Sequence, residues 1–431
     1  MVPGAIDSHP SKRYYVHTLL TDGGWAPLRR LIALVLLLMM LIAPAAASAA
    51  DEPPVIPARA YLLMDMASGQ VLYAHGGDTK LPMASTTKIM TAILALERGK
   101  LTDVVTAGQK PYDTGGSTIY LDLGEQQPLE NLLYALMLES ANDAAVAIAE
   151  HLAGTEEQFA AWMNAKAREI GAVNTHFVNS HGLHHPEHYT TAHDLALIAR
   201  YAMQNPEFRR LVLIEEKEIP GFKENPPRKL FSRNQLLGYY VGVTGVKNGF
   251  TEEALLTNVA SAKRGDTELI AVILGAENLL WTSSIKLLDY GFSHFETRRV
   301  VQKGDEVGRT LLPGAADQVS IRAAEDLWAA VPLGASIRSD RTLTLQDELS
   351  APVAADAVVG RLTVQVGGQD VGSVPVTAAA AVAAAPVAVT AAAVTAGSGF
   401  GLGGWQWLLL AALLVGLVVV FFRRRRRRRL L

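Results

Sequence analysis

The sequence contains no cysteine among its 431 residues. That excludes disulfides, thiolate zinc sites and cysteine nucleophiles. It leaves the compartment open, because an exported chain need carry no disulfide. Positive charge is also scarce in the part expected to fold. The formal net charge is −3, and setting aside the seven arginines at 423–429 takes it to −10. An acidic body argues against a nucleic-acid partner. A third scarcity lies towards the C-terminus. After Thr377 the chain is almost entirely Ala, Val, Thr and Pro, then Gly and Ser. So little side-chain variety cannot specify a core, and a spacer is expected over 377–404.

What is present at the two ends points to a membrane. Arg29 and Arg30 precede the apolar run Leu31–Ala43, and Ala47-Ser48-Ala49 follows in the A-x-A pattern. This predicts a secretory signal peptide over 1–50, with a long n-region and cleavage near Ala50. At the other end Trp405–Phe422 is apolar and uncharged; as a helix it would span about 27 Å, close to a bilayer core. Trp405 and Trp407 suit the outer interface and the arginine block the inner one. The expectation is a transmembrane helix over 405–422, a cytoplasmic tail over 423–431, and everything before Trp405 outside the cytoplasm.

Between the ends, hydrophobic periodicity divides the chain in two. Ala60–Met64 and Gln70–Tyr73 flank Ala67-Ser68-Gly69, a hairpin signature. Helices are predicted over Ser85–Glu97, Leu129–Leu138, Ala144–Leu152, Phe159–Ile170 and Ala192–Met203. Strands are predicted over Val241–Lys247, Leu255–Ala262 and Leu269–Gly275, and a closing helix over Trp281–Tyr290. Strands at both ends with helices between them imply an α+β fold, an antiparallel sheet flanked by helices, over 51–298. From about Val300 short strand-like runs (Val319–Ile321, Leu343–Leu345, Leu362–Val366) alternate with Gly, Pro and Asp, which predicts a small β-rich domain over 299–376.

Three short elements carry possible chemistry. In Ser85-Thr86-Thr87-Lys88 a spacing of three on a helix stacks both side chains on one face. A serine hydroxyl becomes nucleophilic once a base takes its proton, and a lysine is that base only if burial or a second cation leaves it neutral. Ser140-Ala141-Asn142 falls in the break between two apolar helices, where it offers either a helix cap or a hydroxyl and an amide facing a ligand. Lys247-Asn248-Gly249 ends a predicted strand. Its lysine offers a point charge to a carboxylate, and its glycine lets an extended ligand approach the backbone. Taken singly, each has an ordinary structural reading as a cap or a turn.

Taken together, in this order, they match the S-x-x-K, S-x-N and K-x-G set of penicillin-binding proteins and class A β-lactamases. The surrounding stretches AYLLMDMASGQVLYAHGGDTKLPMASTTKIM (60–90), LESANDAAVAIAE (138–150), NSHGLHHPEHYTTAHDLALIA (179–199) and residues 245–262 resemble the low-molecular-weight penicillin-binding proteins, the serine-type D-alanyl-D-alanine carboxypeptidases. The resemblance covers about Ala58 to Phe295, with a looser match in the β-rich region. It implies a penicillin-binding/β-lactamase-like domain, no cofactor, peptidoglycan stem pentapeptides as substrate and β-lactams as covalent inhibitors. Carried over residue by residue, it implies that Ser85 attacks the penultimate D-alanine carbonyl to form an acyl-enzyme. Lys88 would accept the proton and later assist water, and Ser140 would pass a proton to the leaving D-alanine. Asn142 would hold the acyl side chain. Lys247, with Asn248 and Gly249, would bind the terminal carboxylate.

Two departures stand out. Asn248 replaces the family's threonine, a hydroxyl that would donate to the carboxylate, and an asparagine carbonyl turned that way would repel it. Leu255 follows Ala254 where the family usually has glycine, and its bulk is expected to crowd a strand beside the site. A catalytically weakened penicillin-binding or scaffold protein is therefore the alternative. A β-lactamase is a further rival, but no segment resembles that family's glutamate-bearing loop. His184-His185-Pro186-Glu187-His188 fits H-x-x-E-H, a zinc peptidase pattern. Pro186 breaks the helix such a site requires, so a polar loop without metal is expected there.

Overall fold

The structure, a computed structural model, describes residues 52–335, 339–347, 349–385 and 404–427. The expected signal peptide lies outside the described residues.

The catalytic-sized body is built on a five-stranded antiparallel sheet in the order Val71–His75, Ala58–Asp65, Thr267–Ala276, Leu255–Arg264, Val243–Thr251. The N-terminal hairpin thus pairs with strands some two hundred residues later, Leu62 lying opposite Val272. Thr267–Ala276 is buried at every position, and its near-continuous apolar sequence is the mark of a strand covered on both faces. On one face lies a helical core around Ile89, Leu94, Leu133 and Phe159; on the other, Leu280–His294 packs through Leu287 and Leu288. The helix Lys88–Arg98 runs through the middle of the helical layer and is buried from Lys88 to Ala95. Three flanking helices carry side-chain N-caps: Thr155 accepts from Gln158, Thr191 from Asp194 and Asn205 from Glu207, each satisfying an otherwise orphaned N–H.

The sequence expectations shift at several places. The helix expected over Ser85–Glu97 opens with a 3-10 turn, Ala84–Thr87, before the α-helix begins at Lys88. Leu129–Tyr134 is α-helical but runs into a π-turn, Ala135–Glu139. The edge strand does not end at Lys247: it runs on to Thr251, so Lys247-Asn248-Gly249 sits in mid-strand, paired with Val259, Asn258 and Thr257. Two short hairpin pairs were not expected, Val104–Thr106 with Gln126–Pro128 and Glu216–Ile219 with Arg228–Phe231. Leu255 takes a left-handed backbone conformation, φ +56°, the conformation that glycine adopts without cost.

The second body is all β. Its five-stranded sheet runs Glu306–Leu311, Gln318–Ala323, Gln369–Ala378, Val358–Val366, Ser339–Leu345, and the pair Phe295–Val301 with Leu327–Pro332 stands apart from it. A valine-rich core including Val301, Val331, Val364 and Val376 fills it. Bridges Val353 to Val382 and Ala315 to Ala384 carry this body through residue 385, past the point at which the sequence places the start of a spacer. The two bodies meet where Thr297 hydroxyl donates to Asp65 and Ala330 N–H donates to Gln70 Oε1 at 2.7 Å.

Gly404–Arg427 is a helix of 24 residues, about 36 Å long. Among the described residues no helix is long and apolar enough to cross a membrane. Side chains at both ends of this helix lie outside the described set, so the expected span over 405–422 is taken up below as a proposal.

Candidate active site

Lys88 is the pivot of the site. Its side chain is fully buried, with three partners around Nζ: Ser85 Oγ at 3.0 Å, Asn142 Oδ1 at 2.7 Å and the His181 carbonyl at 2.6 Å. Burial first, and then the charge of Lys247, push its pKa well below the usual lysine value, against an opposing pull from Asp143. A neutral amine has two N–H bonds and one lone pair. Asn142 Oδ1 and the His181 carbonyl only accept, so in the neutral form they would take both N–H groups and leave the lone pair for the half-buried Ser85 hydroxyl. In the charged form Nζ donates to all three, Ser85 Oγ included.

The turn presenting Ser85 is pinned from several sides. Thr86 Oγ1 donates to the Met83 carbonyl at 2.6 Å and Thr87 Oγ1 to the Ala84 carbonyl at 2.7 Å. His188 Nδ1 accepts from Val178 N–H at 3.0 Å. The His188 proton therefore sits on Nε2 and is donated to Thr87 Oγ1 at 2.8 Å. Burial pushes His188 down to about 3, so this tautomer persists across neutral pH. Gly182 lies against the same turn: a Cβ there would sit 2.0 Å from the Ala84 carbonyl oxygen.

His181 aims its carbonyl at Lys88 because Asn179 Oδ1 gathers the N–H groups of His181 and Gly182 at 3.3 and 2.7 Å. Its ring Nδ1 accepts from Leu183 N–H, and Nε2 faces Glu156 at 3.4 Å; burial brings it down to about 4, so it is neutral. Glu156 also accepts from Ser180 N–H and Oγ and pairs with Lys110 at 3.0 Å. Burial would raise its pKa, but His181, Ser180 and Lys110 outweigh that and hold the carboxylate down. The histidines of this loop thus divide: His181 and His188 are buried structural groups, while His184 and His185 are exposed. Among the described residues no cluster is placed to hold a metal.

Asn142 opens the helix Asn142–Ala153, with its N–H donating to the Ser117 carbonyl at 2.7 Å and its Nδ2 to the Gly115 carbonyl at 2.8 Å. Asp143 beside it accepts from Ile119, Leu121 and Ala144 N–H groups. Burial raises its pKa despite those donors. Together the two residues staple the segment 115–121 over the cleft. Ser140, at the end of the π-turn, is left-handed at φ +62°, and its buried Oγ has no partner. A strained residue with an orphaned hydroxyl marks a place where a ligand group completes the bonding.

The cleft itself is about 590 Å³, lined by Ser85, Ser117, Tyr120, Asn142, Arg233 and Phe250 among others. Lys247 is buried on the helical face of the edge strand, and its Nζ donates to the Asn248 carbonyl at 2.9 Å. Burial, then the Arg233 charge, lower its pKa to about 7. Gly249 lies under Ser85: a Cβ there would be 2.6 Å from the Ser85 nitrogen. The structure therefore gathers Ser85, Lys88, Asn142 and Gly249 by direct contact, with Lys247 close enough for its charge to act on Lys88. Asn248 points the other way, into a neighbouring cavity. Asp143, Glu156 and Arg233 were not singled out from the sequence, and His188 only as part of the H-x-x-E-H pattern. A buried acid at a helix N-terminus, as at Glu156 after Thr155, is the one local signal that marks any of them.

Comparison with known proteins follows this geometry. Residues 46–278 match the D-alanyl-D-alanine carboxypeptidase family, and residues 295–384 match the penicillin-binding protein 5 C-terminal domain. The chain is 32% identical to D-alanyl-D-alanine carboxypeptidase DacF of Bacillus subtilis over 74% of its own length and 85% of that protein's. It is 35% identical to DacC of Escherichia coli, another D-alanyl-D-alanine carboxypeptidase, over 75% and 84%. The crystal structure of penicillin binding protein 5 from Haemophilus influenzae superposes with a TM-score of 0.69 at 32% identity, covering 77% of this chain and 99% of that one.

Proposed function

Because the chain belongs to the D-alanyl-D-alanine carboxypeptidase family, we propose that it removes the terminal D-alanine from peptidoglycan stem pentapeptides through an acyl-enzyme on Ser85. The observation that carries this reading is the buried Lys88 Nζ, held 3.0 Å from Ser85 Oγ with its pKa pushed well below the usual lysine value. Ser85 Oγ bonds to the carbonyl carbon of the penultimate D-alanine as its proton moves to Lys88 Nζ. The tetrahedral intermediate collapses when the C–N bond breaks, and Ser140 relays the proton to the departing amine. Water then attacks the ester, Lys88 again takes a proton, and Ser85 is restored. Lys247 and the Arg233 guanidinium at the cleft wall attract the substrate's terminal carboxylate, and Gly249 leaves the Ser85 N–H open to a developing oxyanion. A β-lactam acylates the same hydroxyl. Asn248 is the sole support for a weakened or scaffolding protein; its carbonyl accepts from Lys247, while the residue lines a neighbouring cavity. Fluorescent penicillin is expected to label the wild type and not Ser85→Ala, and D-alanine release from a pentapeptide to follow the same pattern. A labelled Ser85→Ala protein would overturn the assignment.

The remaining architecture fits an enzyme held at a membrane. We propose the division 51–298 for the peptidase domain and 299–376 as the core of the β domain, with 1–50 exporting the chain. Helix Gly404–Arg427 would anchor it through apolar 405–422, with the arginines inside. Its support is the apolar run abutting seven arginines. Retention of the full chain in washed membranes and its release on truncation after residue 385 test this.

A further inference from the structure

Asn248 sits on the wrong face to act with Lys247. Residues directly opposite across an antiparallel pair share a face. Lys247 pairs with Val259, part of the helical core, whereas Asn248 pairs with Asn258, whose Nδ2 donates to Ser284 Oγ at 2.9 Å on the helix Leu280–His294. The Asn248 side chain accordingly lines a second cavity of about 520 Å³, floored by Leu256, Leu280 and Trp281 and rimmed by Gln235 and Arg233. Arg233, whose guanidinium pairs with Glu139 at 2.9 Å, also lines the cleft that holds Ser85, so the two spaces share this residue.

The strand Val243–Thr251 is the last in its sheet, leaving its outer edge for an extended ligand. A peptide lying along such an edge turns successive side chains to opposite faces. With the acyl residue's side chain on the Ser85 side, that of the next residue faces Asn248. A D-alanine methyl fills only a small part of this space, whose volume is that of a pocket for a whole small ligand. We propose that this cavity is a subsite for the side chain of the leaving D-residue, and that the enzyme releases terminal D-residues with larger apolar side chains as well as D-alanine. Arg233 meets the carboxylate at the junction, while Trp281 and Leu256 form the apolar floor. Asn248 supplies a neutral amide at the rim where a second fixed charge would exclude an apolar group. Bond changes are those of the parent reaction: the same amide C–N bond is cleaved, water supplies the hydroxyl to the acyl group and a proton to the departing amine.

The inference rests on the carboxypeptidase reading, and the experiment separates the two. The full chain is assayed on paired stem pentapeptides ending in D-Ala-D-Ala and in D-Ala-D-Phe, with penicillin acylation measured in parallel. We expect the two kcat/KM values to lie within about tenfold of each other, and their ratio (D-Phe over D-Ala) to fall at least about tenfold in Trp281→Ala, the scale of discrimination an apolar pocket supplies. Should Trp281→Ala fail to fold, Thr282→Trp, at an exposed lining position, fills the space from the solvent side and is expected to lower the same ratio. Release of D-alanine with D-phenylalanine more than about a hundredfold slower in the wild type, or a ratio unmoved by the variant, overturns the subsite and leaves the parent reading standing. No acylation and no release of either residue overturns both.

Discussion

Lys247 costs the fold stability, and removing its charge should return it. The side chain is 2% exposed, and its pKa is about 7 against the ordinary 10.5, chiefly through burial and secondarily through Arg233. Below about pH 7 both the folded and unfolded chains hold the proton, and folding bears the full cost of burying the cation. Between about pH 7 and 10 the unfolded chain binds a proton that the folded one does not, so stability rises with pH by about 1.4 kcal/mol per unit. The gap between about 7 and 10.5 corresponds to about 5 kcal/mol at low pH. The hydrogen bond from Nζ to the Asn248 carbonyl offsets about 1 kcal/mol of that in a comparison with an apolar replacement. Lys247→Met, similar in volume and without charge, should therefore raise the unfolding free energy by about 3–4 kcal/mol near pH 6 and by little near pH 10. Urea unfolding of both proteins at the two pH values measures this. A variant no more stable than wild type near pH 6, or a difference that grows with pH, would refute the burial argument. The same variant should lose kcat/KM, because the charge that weakens the fold is the one that attracts the substrate.

Lys88→Met should lower the acylation rate by about 10²–10⁴, the usual worth of a positioned base, without loss of stability; rapid-mixing penicillin acylation with a melting curve reads both. Gly249→Ala places a Cβ 2.6 Å from the Ser85 nitrogen and 2.9 Å from Thr257 Oγ1, and such overpacking costs about 1–3 kcal/mol. Its melting temperature should drop and its acylation should fall further than stability alone explains. Leu255→Gly should be neutral or stabilising by up to about 1 kcal/mol, since a left-handed non-glycine residue costs about 1–2 kcal/mol and glycine's extra chain entropy returns about 0.5–1; a clear destabilisation by thermal melting would show that Leu255 packs rather than strains. The kcat/KM for D-alanine release should decline above about pH 7 as free Lys247 loses its proton, falling about tenfold per unit, and a flat profile up to pH of about 9 would remove Lys247 from carboxylate binding.

The sequence made the sheet and the dyad legible for local reasons. The apolar runs at 60–64 and 269–275 identify strands without reference to anything else, and Ser85 and Lys88 lie one turn apart whatever surrounds them. The support for Lys88 was hidden because it is assembled from afar: the His181 carbonyl lies 93 residues away and Asn142 lies 54. A backbone carbonyl leaves no trace in residue type. Lys247-Asn248-Gly249 read as a strand end because Asn and Gly have low strand propensity. Pairing with Leu255–Arg264 overrides that preference, and Gly249 is required there by Ser85 rather than by a turn. Alternation within the longer strand is also what sends Asn248 away from Lys247. The short hairpin pairs around Val105 and Leu230 are too brief to show a period. The histidines looked like a metal pattern because the sequence shows spacing but not direction; the fold turns two inward and two outward.

A chain made from its N-terminus meets the sheet's requirements out of order. Ala58–Asp65 is synthesised early, yet its central partner Thr267–Ala276 follows after the whole helical layer. The strand lying under Ser85 is made only shortly before that. Loops this long close slowly, so the nascent protein carries an apolar hairpin with one strand edge still open, and an unformed pocket, until nearly three hundred residues have emerged. Ser85 therefore has no finished pocket around it until the last hairpin of the sheet forms.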